Sequence, residues 1–256
     1  NDSVAAEFSS KWGVPKFDTM THAFQDGAID VVSVLTPDHH HFEAIESALA
    51  QQNQPSALIV EKPLCTTLDQ LEKIERLVMS SGSLLVVNHS RRFDERFDRL
   101  RSCFTDETWG QLVRVGATYY GGWLHNGSHI VDTLHFLTGD KIVFDAAIGS
   151  ADQIDSIDPS LELVGHLRHG GQKVVISAIS SRHYQLFEFD FWFENARLRV
   201  ENFGAHVRLE TSVLDFYGDR VLENSPSTFW GSSSSPLDKL YRETSRAITG
   251  APTDLL

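Results

Sequence analysis

Three apolar runs constrain this chain most. They are "IDVVSVLTP" (29–37), "SALIVEKP" (56–63) and "SLLVVNHS" (83–90). Each is continuous and rich in β-branched residues, the pattern of strands packed on both faces of a parallel sheet. Helical stretches separate them. Phe42, Ile45 and Leu49 recur at helical spacing after the first run. After the second, Thr67 with Gln70 forms a capping box, and Leu68, Leu71, Ile74, Leu77 and Val78 give the following helix a buried stripe. Strand and helix alternating on short connections predict right-handed βαβ units.

The rhythm changes after Arg91. "LELVGHLRHGGQKVVISAIS" and "LFEFDFWFENARLRVEN" are long strands with turns at Gly170-Gly171 and Asn195-Ala196. Phe187, Phe189, Phe191 and Phe193 fall on one face, with Glu188, Asp190, Trp192 and Glu194 on the other. That alternation predicts a mostly antiparallel sheet with one covered face. A helix carrying Ile130, Leu134 and Leu137 ends at Gly139, and "SPSTFWGSSSSP" (225–236) reads as a Ser-rich loop. The expected fold is α/β: a Rossmann-like parallel sheet over residues 1–90, then an α+β domain with an open, mostly antiparallel sheet over 91–256.

A doubly wound sheet normally opens with a strand, a Gly-rich turn and a helix. This sequence starts instead in a helical stretch, Val4 to Trp12, closed by Gly13 and Pro15, and holds no G-x-G-x-x-G. Either the first βαβ unit precedes the sequence given, or the protein has no phosphate loop. The NAD-versus-NADP choice depends on the end of the second strand of such a unit, so it stays open.

Charge and composition narrow the function classes. A net charge of −13 argues against a sequence-independent grip on nucleic acid or anionic lipid. No apolar run approaches the roughly 20 residues a membrane helix needs. Two cysteines, Cys65 and Cys103, give no disulfide framework and fit reduced thiols in a cytoplasm.

Candidate site residues cluster after the strands, because ligands of open parallel sheets sit beyond the strands' carboxyl ends. Thr36 and Pro37 follow the first run, Glu61, Lys62 and Pro63 the second, and Asn88 and His89 the third. Lys62 is the most informative. It stands directly after a buried run, pinned by a proline that biases it toward extended backbone. A lysine so held can hydrogen-bond a substrate hydroxyl or serve proton transfer.

These residues resemble the Gfo/Idh/MocA oxidoreductases, which are NAD(P)-dependent enzymes acting on sugars, inositols and nucleotide sugars. The resemblance rests on "VEKPL" preceded by "TPDHHH", and runs through "VNHSRRFDERF", "GGWLHNGSHIVDTLHFLTG" and "FEFDFWFENARLRVEN". It implies that Thr36, Pro37, His41, Glu61, Lys62, Pro63, Asn88 and His89 line NAD or NADP, with a cis Lys62–Pro63 bond. It further implies that Lys62 contacts the reacting carbinol and that His129 exchanges its proton. It implies a homo-oligomer formed through the C-terminal sheet.

One departure matters. Family members often carry Asp four positions before this histidine, whereas this chain has His125, followed by Asn126. The site is then less acidic and suits an anionic substrate, and "HNGSH" is similar to the nucleotide-sugar branch. Arg91, with Arg92, is a further substrate-binding candidate, since a guanidinium matches a phosphate or carboxylate.

Competing readings are weaker. His125 and His129 have metal-ligand spacing, but Asn126 stands where a zincin carries Glu. "DHHH" (38–41) reads as a helix start, with Asp38 favoured there by the helix dipole. A non-catalytic cofactor sensor or regulator on the same fold is the alternative function, because fold does not fix function. Keeping both Lys62 and His129 favours catalysis.

Overall fold

The structure is a computed structural model that describes residues 2–27, 29–105, 107–149, 158–225, 234–253 and 255. Of the Ser-rich stretch 225–236, residues 226–233 lie outside the described residues. The chain forms two compact units: residues 1–88 with 243–256, and residues 89–242. The sequence placed this division at residue 90 and assigned everything beyond it to the second domain.

In the first unit, helices α1 (Asp2–Trp12) and α2 (Met20–Asp26) precede the three predicted strands. These are β1 (Val31–Val34), β2 (Ala57–Glu61) and β3 (Leu84–Asn88), parallel and in the order β1-β2-β3. Helix α3 (His41–Leu49) links the first pair and α4 (Leu68–Ser81) the second. Strand β2 is paired on both sides, so Ala57, Leu58, Ile59 and Val60 are all buried. Among the described residues β1 pairs with β2 alone, and Val34 is the one of its four residues that is fully buried, fewer than the apolar run led to expect. Val34, Ile45, Ala48, Leu49, Leu58, Val60 and Ile74 make the core.

The predicted cap of α4 is present. Thr67 Oγ1 accepts from the Gln70 amide at 3.2 Å, and Gln70 Oε1 reaches back to accept from the Thr66 amide at 3.1 Å. Gly82 ends the helix in the left-handed region at φ 72°, where a Cβ would be strained. The stripe is narrower than expected. Ile74 is buried, but Leu68, in the first turn, is 77% exposed.

The second unit is built on an eight-stranded sheet in the order β11-β10-β9-β8-β4-β7-β6-β5. In chain order these are β4 (Leu112–Tyr120), β5 (Ile142–Gly149), β6 (Leu161–Leu167), β7 (Lys173–Ile179), β8 (Phe187–Phe193), β9 (Ala196–Glu201), β10 (His206–Leu214) and β11 (Arg220–Asn224). Among the described residues of this sheet, only the β4–β7 pair is parallel. Helices α5 (Glu95–Cys103) and α6 (Ser128–Thr138) supply the apolar cover, with Phe97, Leu100, Ile130, Leu134 and Leu137 packed in one cluster with Phe187, Phe189, Phe191 and Phe193. The other face of the sheet is polar. Asp190 pairs with Arg197 and Arg199 with Glu210, while the guanidinium carbons of Arg114 and Arg197 lie 5.3 and 5.2 Å from the Trp192 ring centre. Helix α7 (Pro236–Ile248) gives its residues up to Arg242 to this unit and the remainder to the first.

Candidate active site

In the first unit the sheet register itself gathers the candidates. Strands β1, β2 and β3 run parallel, so their carboxyl ends lie together, and Glu61 pairs directly with Asn88. Asn88 Nδ2 donates to Glu61 Oε1 at 2.6 Å. The Lys62–Pro63 peptide is cis. His41 is 1% exposed, and its ring nitrogens lie 2.7 Å from the Pro63 carbonyl and 2.8 Å from the Thr36 carbonyl. The imidazole thus braces the turn after β1 against the turn after β2. Its position follows from the 3-10 turn Asp38–His40 that leads into α3 after Pro37.

One atom at this edge lacks a partner. Asn88 Oδ1 is buried and, among the described residues, accepts no hydrogen bond. A buried acceptor costs about 1–3 kcal/mol when it is left unmade. The strand ends thus present an acceptor of the kind that a dinucleotide's amide N–H or ribose hydroxyl would satisfy, with Thr36, Glu61 and Lys62 after or at the ends of the same sheet.

In the second unit, the sequence after Gly122 enters α6 through a π-type turn, Trp123–Gly127. The turn is tight. A Cβ on Gly127 would sit 2.0 Å from a Trp123 ring carbon, so only glycine fits. His125 and His129 therefore lie in one continuous helical segment. Asp158 anchors it: its carboxylate accepts from the Leu124 amide at 2.6 Å and the His125 amide at 3.1 Å, and lies 2.7 Å from His125 Nδ1. Asn126 turns inward and donates to the Tyr120 carbonyl at 2.8 Å. Its amide nitrogen therefore supports the turn.

His129 sits between aromatic neighbours, with its ring centre 5.8 Å from that of His89 and 6.4 Å from that of Phe187, edge-on to both. His89 Nδ1 is 3.8 Å from Asp132, one turn along α6, and Asp132 receives both bonds of the Arg92 Nε at 2.8 and 3.0 Å. A pocket of about 540 Å³ opens beside this group, lined in part by His89, Ser128, Asp132 and His135. Phe203 adds a further ring: at φ 57° it holds a left-handed backbone that a bulky residue rarely adopts, and stacks on Phe187 at 6.0 Å.

Sequence reasoning did not find Asp132, Asp158 or Phe203. Asp132 had a readable mark, three residues after His129 on the same helix. Asp158 had none, being 33 residues from the histidine it holds.

Comparison with known proteins points the same way for the first unit. Residues 1–89 match the model of the Gfo/Idh/MocA oxidoreductase family, NAD-binding Rossmann fold. The chain is 32% identical over 92 residues to an uncharacterized oxidoreductase, YdgJ, of Escherichia coli, a stretch covering 36% of this chain and 26% of that protein. It is 24% identical over 176 residues to the scyllo-inositol 2-dehydrogenase (NADP+) IolW of Bacillus subtilis, covering 61% of this chain and 48% of that protein. Such matches span a quarter to a half of the curated relatives' length.

Structural likeness extends over the whole chain. A putative NADPH-dependent oxidoreductase from Desulfitobacterium hafniense superposes with TM-score 0.84 at 16% identity, covering 100% of this chain and 80% of that one. The UDP-N-acetylglucosamine 3-dehydrogenase GnnA of Acidithiobacillus ferrooxidans follows with TM-score 0.76 at 16% identity, covering 99% of this chain and 80% of that one. A super-repressor mutant of Gal80p from Saccharomyces cerevisiae also shares the fold, with TM-score 0.76 at 18% identity over 99% of this chain and 76% of that one. At these identities the likeness shows the fold alone, a Rossmann-like domain with a β-sheet domain.

Proposed function

We propose that this protein is a nicotinamide-dependent oxidoreductase acting on a hydroxyl or keto carbon of a sugar or nucleotide sugar. The observation that carries the reading is the strand-end cluster: Asn88 bonded to Glu61, its own carbonyl oxygen buried without a partner, beside Lys62 and the cis Pro63. The family match, to an NAD-binding Rossmann fold over these same residues, supports NAD or NADP as the cofactor. The inositol and nucleotide-sugar dehydrogenases among the similar proteins support the substrate class.

A bound nicotinamide exchanges hydride with the reacting carbon. The chain's own residues handle the oxygen. In oxidation, a C–H bond and an O–H bond break together, and the proton must leave the oxygen as hydride leaves the carbon. Lys62 donates a hydrogen bond to that oxygen and stabilises its developing negative charge. His129 takes the proton, and returns it in reduction, a role suited to an imidazole. His125 and Arg91 contact the substrate. The open polar face of the eight-stranded sheet is the proposed surface for a second copy of the chain.

A super-repressor mutant of Gal80p shares this fold, so fold alone does not decide for catalysis. Retention of Lys62 and His129 supports the enzyme. The test is a titration with NADH and NADPH, followed by a screen of sugars, inositols and nucleotide sugars for nicotinamide reduction or oxidation. Cofactor binding with turnover of one such substrate is expected. Cofactor binding with no turnover across the screen would favour the sensor.

A further inference from the structure

Arg91 and Arg92 are neighbours in the 3-10 turn Ser90–Phe93, yet the structure treats them differently. Arg92 pairs with Asp132 through its Nε, and Arg96, one turn on, is held by Asp94. Arg197 with Asp190, Arg199 with Glu210 and Arg246 with Glu243 each have a carboxylate too, although Arg199 Nε is also buried without an acceptor. Arg91 has no such carboxylate. Among the described residues its side chain makes no hydrogen bond or ion pair, and its Nε is buried without an acceptor. The carboxylates nearest in charge, Asp132 and Asp94, are the ones already taken by Arg92 and Arg96. Three guanidinium groups therefore share two carboxylates, and one positive charge is left over.

A cation drawn out of water without a partner is costly, and native structures seldom keep one without use. Burial pulls Arg91 down to about 10, with the carboxylate charges opposing, so it stays cationic at neutral pH. The guanidinium does have a platform. Its central carbon lies 3.6 Å from the Phe187 ring centre, a cation–π distance that fixes the plane of the fork and its donors. The same Phe187 ring lies 6.4 Å from His129. One aromatic side chain thus touches both the oriented, unneutralised cation and the proposed acid–base residue.

We propose that Arg91 is the receptor for an oxyanion of the substrate, a carboxylate or a phosphate, and that the substrate is an acidic sugar rather than a neutral one. This rests on the reading of the protein as a sugar oxidoreductase. Arg92 is excluded from the role because Asp132 already occupies its Nε.

The test is direct binding, measured by calorimetry with hexoses offered in three forms: the neutral sugar, its uronate and its 6-phosphate. Each is titrated into the wild type, Arg91→Gln and Arg91→Lys, with NADPH and NADH titrated separately. The wild type should bind an acidic form at least about tenfold more tightly than its neutral parent. Arg91→Gln should erase that preference while leaving the unfolding midpoint no lower and the nicotinamide affinity unchanged, and Arg91→Lys should restore part of it. Equal binding of acidic and neutral forms by the wild type would overturn the proposal. So would loss of nicotinamide affinity in Arg91→Gln with the sugar preference kept, because the oxyanion would then be a cofactor phosphate. An acid preference that inorganic phosphate abolishes in Arg91→Gln as fully as in wild type would also overturn it. Failure of the oxidoreductase reading would be seen separately, as absence of any nicotinamide binding in the wild type.

Discussion

Asp158 holds His125 by two bonds, to the ring Nδ1 at 2.7 Å and to the amide at 3.1 Å, and accepts a third from the neighbouring Leu124 amide at 2.6 Å. The carboxylate therefore fixes both the backbone of the π-type turn and the orientation of the imidazole. Gly122 is shaped to admit it, since a Cβ there would lie 2.0 Å from Asp158 Oδ2. The carboxylate thus reaches this turn from another part of the chain.

Removing that carboxylate should be felt twice. Asp158→Ala leaves the Leu124 and His125 amides without their acceptor, a loss of about 1.5–3 kcal/mol for charge-assisted bonds. A lowered denaturant midpoint checks it. Asp158→Asn keeps the volume and part of the bonding, so its stability loss should be smaller, while the NMR signature of the His125 tautomer shifts. An unchanged His125 spectrum would contradict the anchoring role.

Core and surface positions of one helix should part company in α4. Ile74, 1% exposed, should cost about 2–5 kcal/mol on Ile74→Ala. Leu68, 77% exposed, should cost less than about 0.5 kcal/mol on Leu68→Ala. Equilibrium unfolding of the two variants distinguishes them.

That contrast also shows what the sequence could reveal. The helix and its Thr67 cap were legible because each depends on residues a few positions apart. So was the alternation of Phe187 to Phe193, because strand geometry has a period of two. Leu68 was misjudged because spacing alone does not tell a stripe's edge from its centre. The partial burial of β1 depends on what packs against it, which no local pattern records. At the site, Lys62 stood out because a charge after a buried run is locally odd. The difference between Arg91 and Arg92 was invisible, because Asp132 lies 40 residues away and chooses only one of them.

Acid should weaken the loop around Asp140. Partial burial opposes its ionisation, but the His169 amide and ring, the Gly170 amide and the Lys141 amide outweigh that and hold the carboxyl well below the usual range. A folded-state value below the unfolded one means the stabilisation is fully present above about pH 4, the ordinary carboxylate value, and fades as pH falls further. Asp140→Asn should flatten this part of the acid-side stability curve. Unfolding midpoints across the acid range, compared between wild type and variant, measure it.

Tyr119 gives the opposite limb. Burial pushes its hydroxyl up to about 12, and that hydroxyl donates to the Leu161 carbonyl at 2.9 Å while accepting from the Leu161 amide at 2.8 Å. A raised folded-state value means stability is intact below about pH 10 and is lost as pH climbs toward the folded value. Tyr119→Phe should cost about 1–3 kcal/mol at neutral pH, because both Leu161 groups lose their partner, and should remove part of the alkaline fall. Denaturant titrations at neutral and alkaline pH report both effects.

The central claim is that Lys62 and His129 work on the oxygen of a substrate whose carbon exchanges hydride with a nicotinamide. The most direct measurement is the rate of nicotinamide absorbance change with the substrate found by screening, in wild type, Lys62→Met and His129→Asn, with cofactor affinity and unfolding midpoint taken on the same samples. The account predicts turnover in the wild type and a loss of about a hundredfold or more in each variant, with folding preserved. Wild-type rates in either folded variant would contradict it.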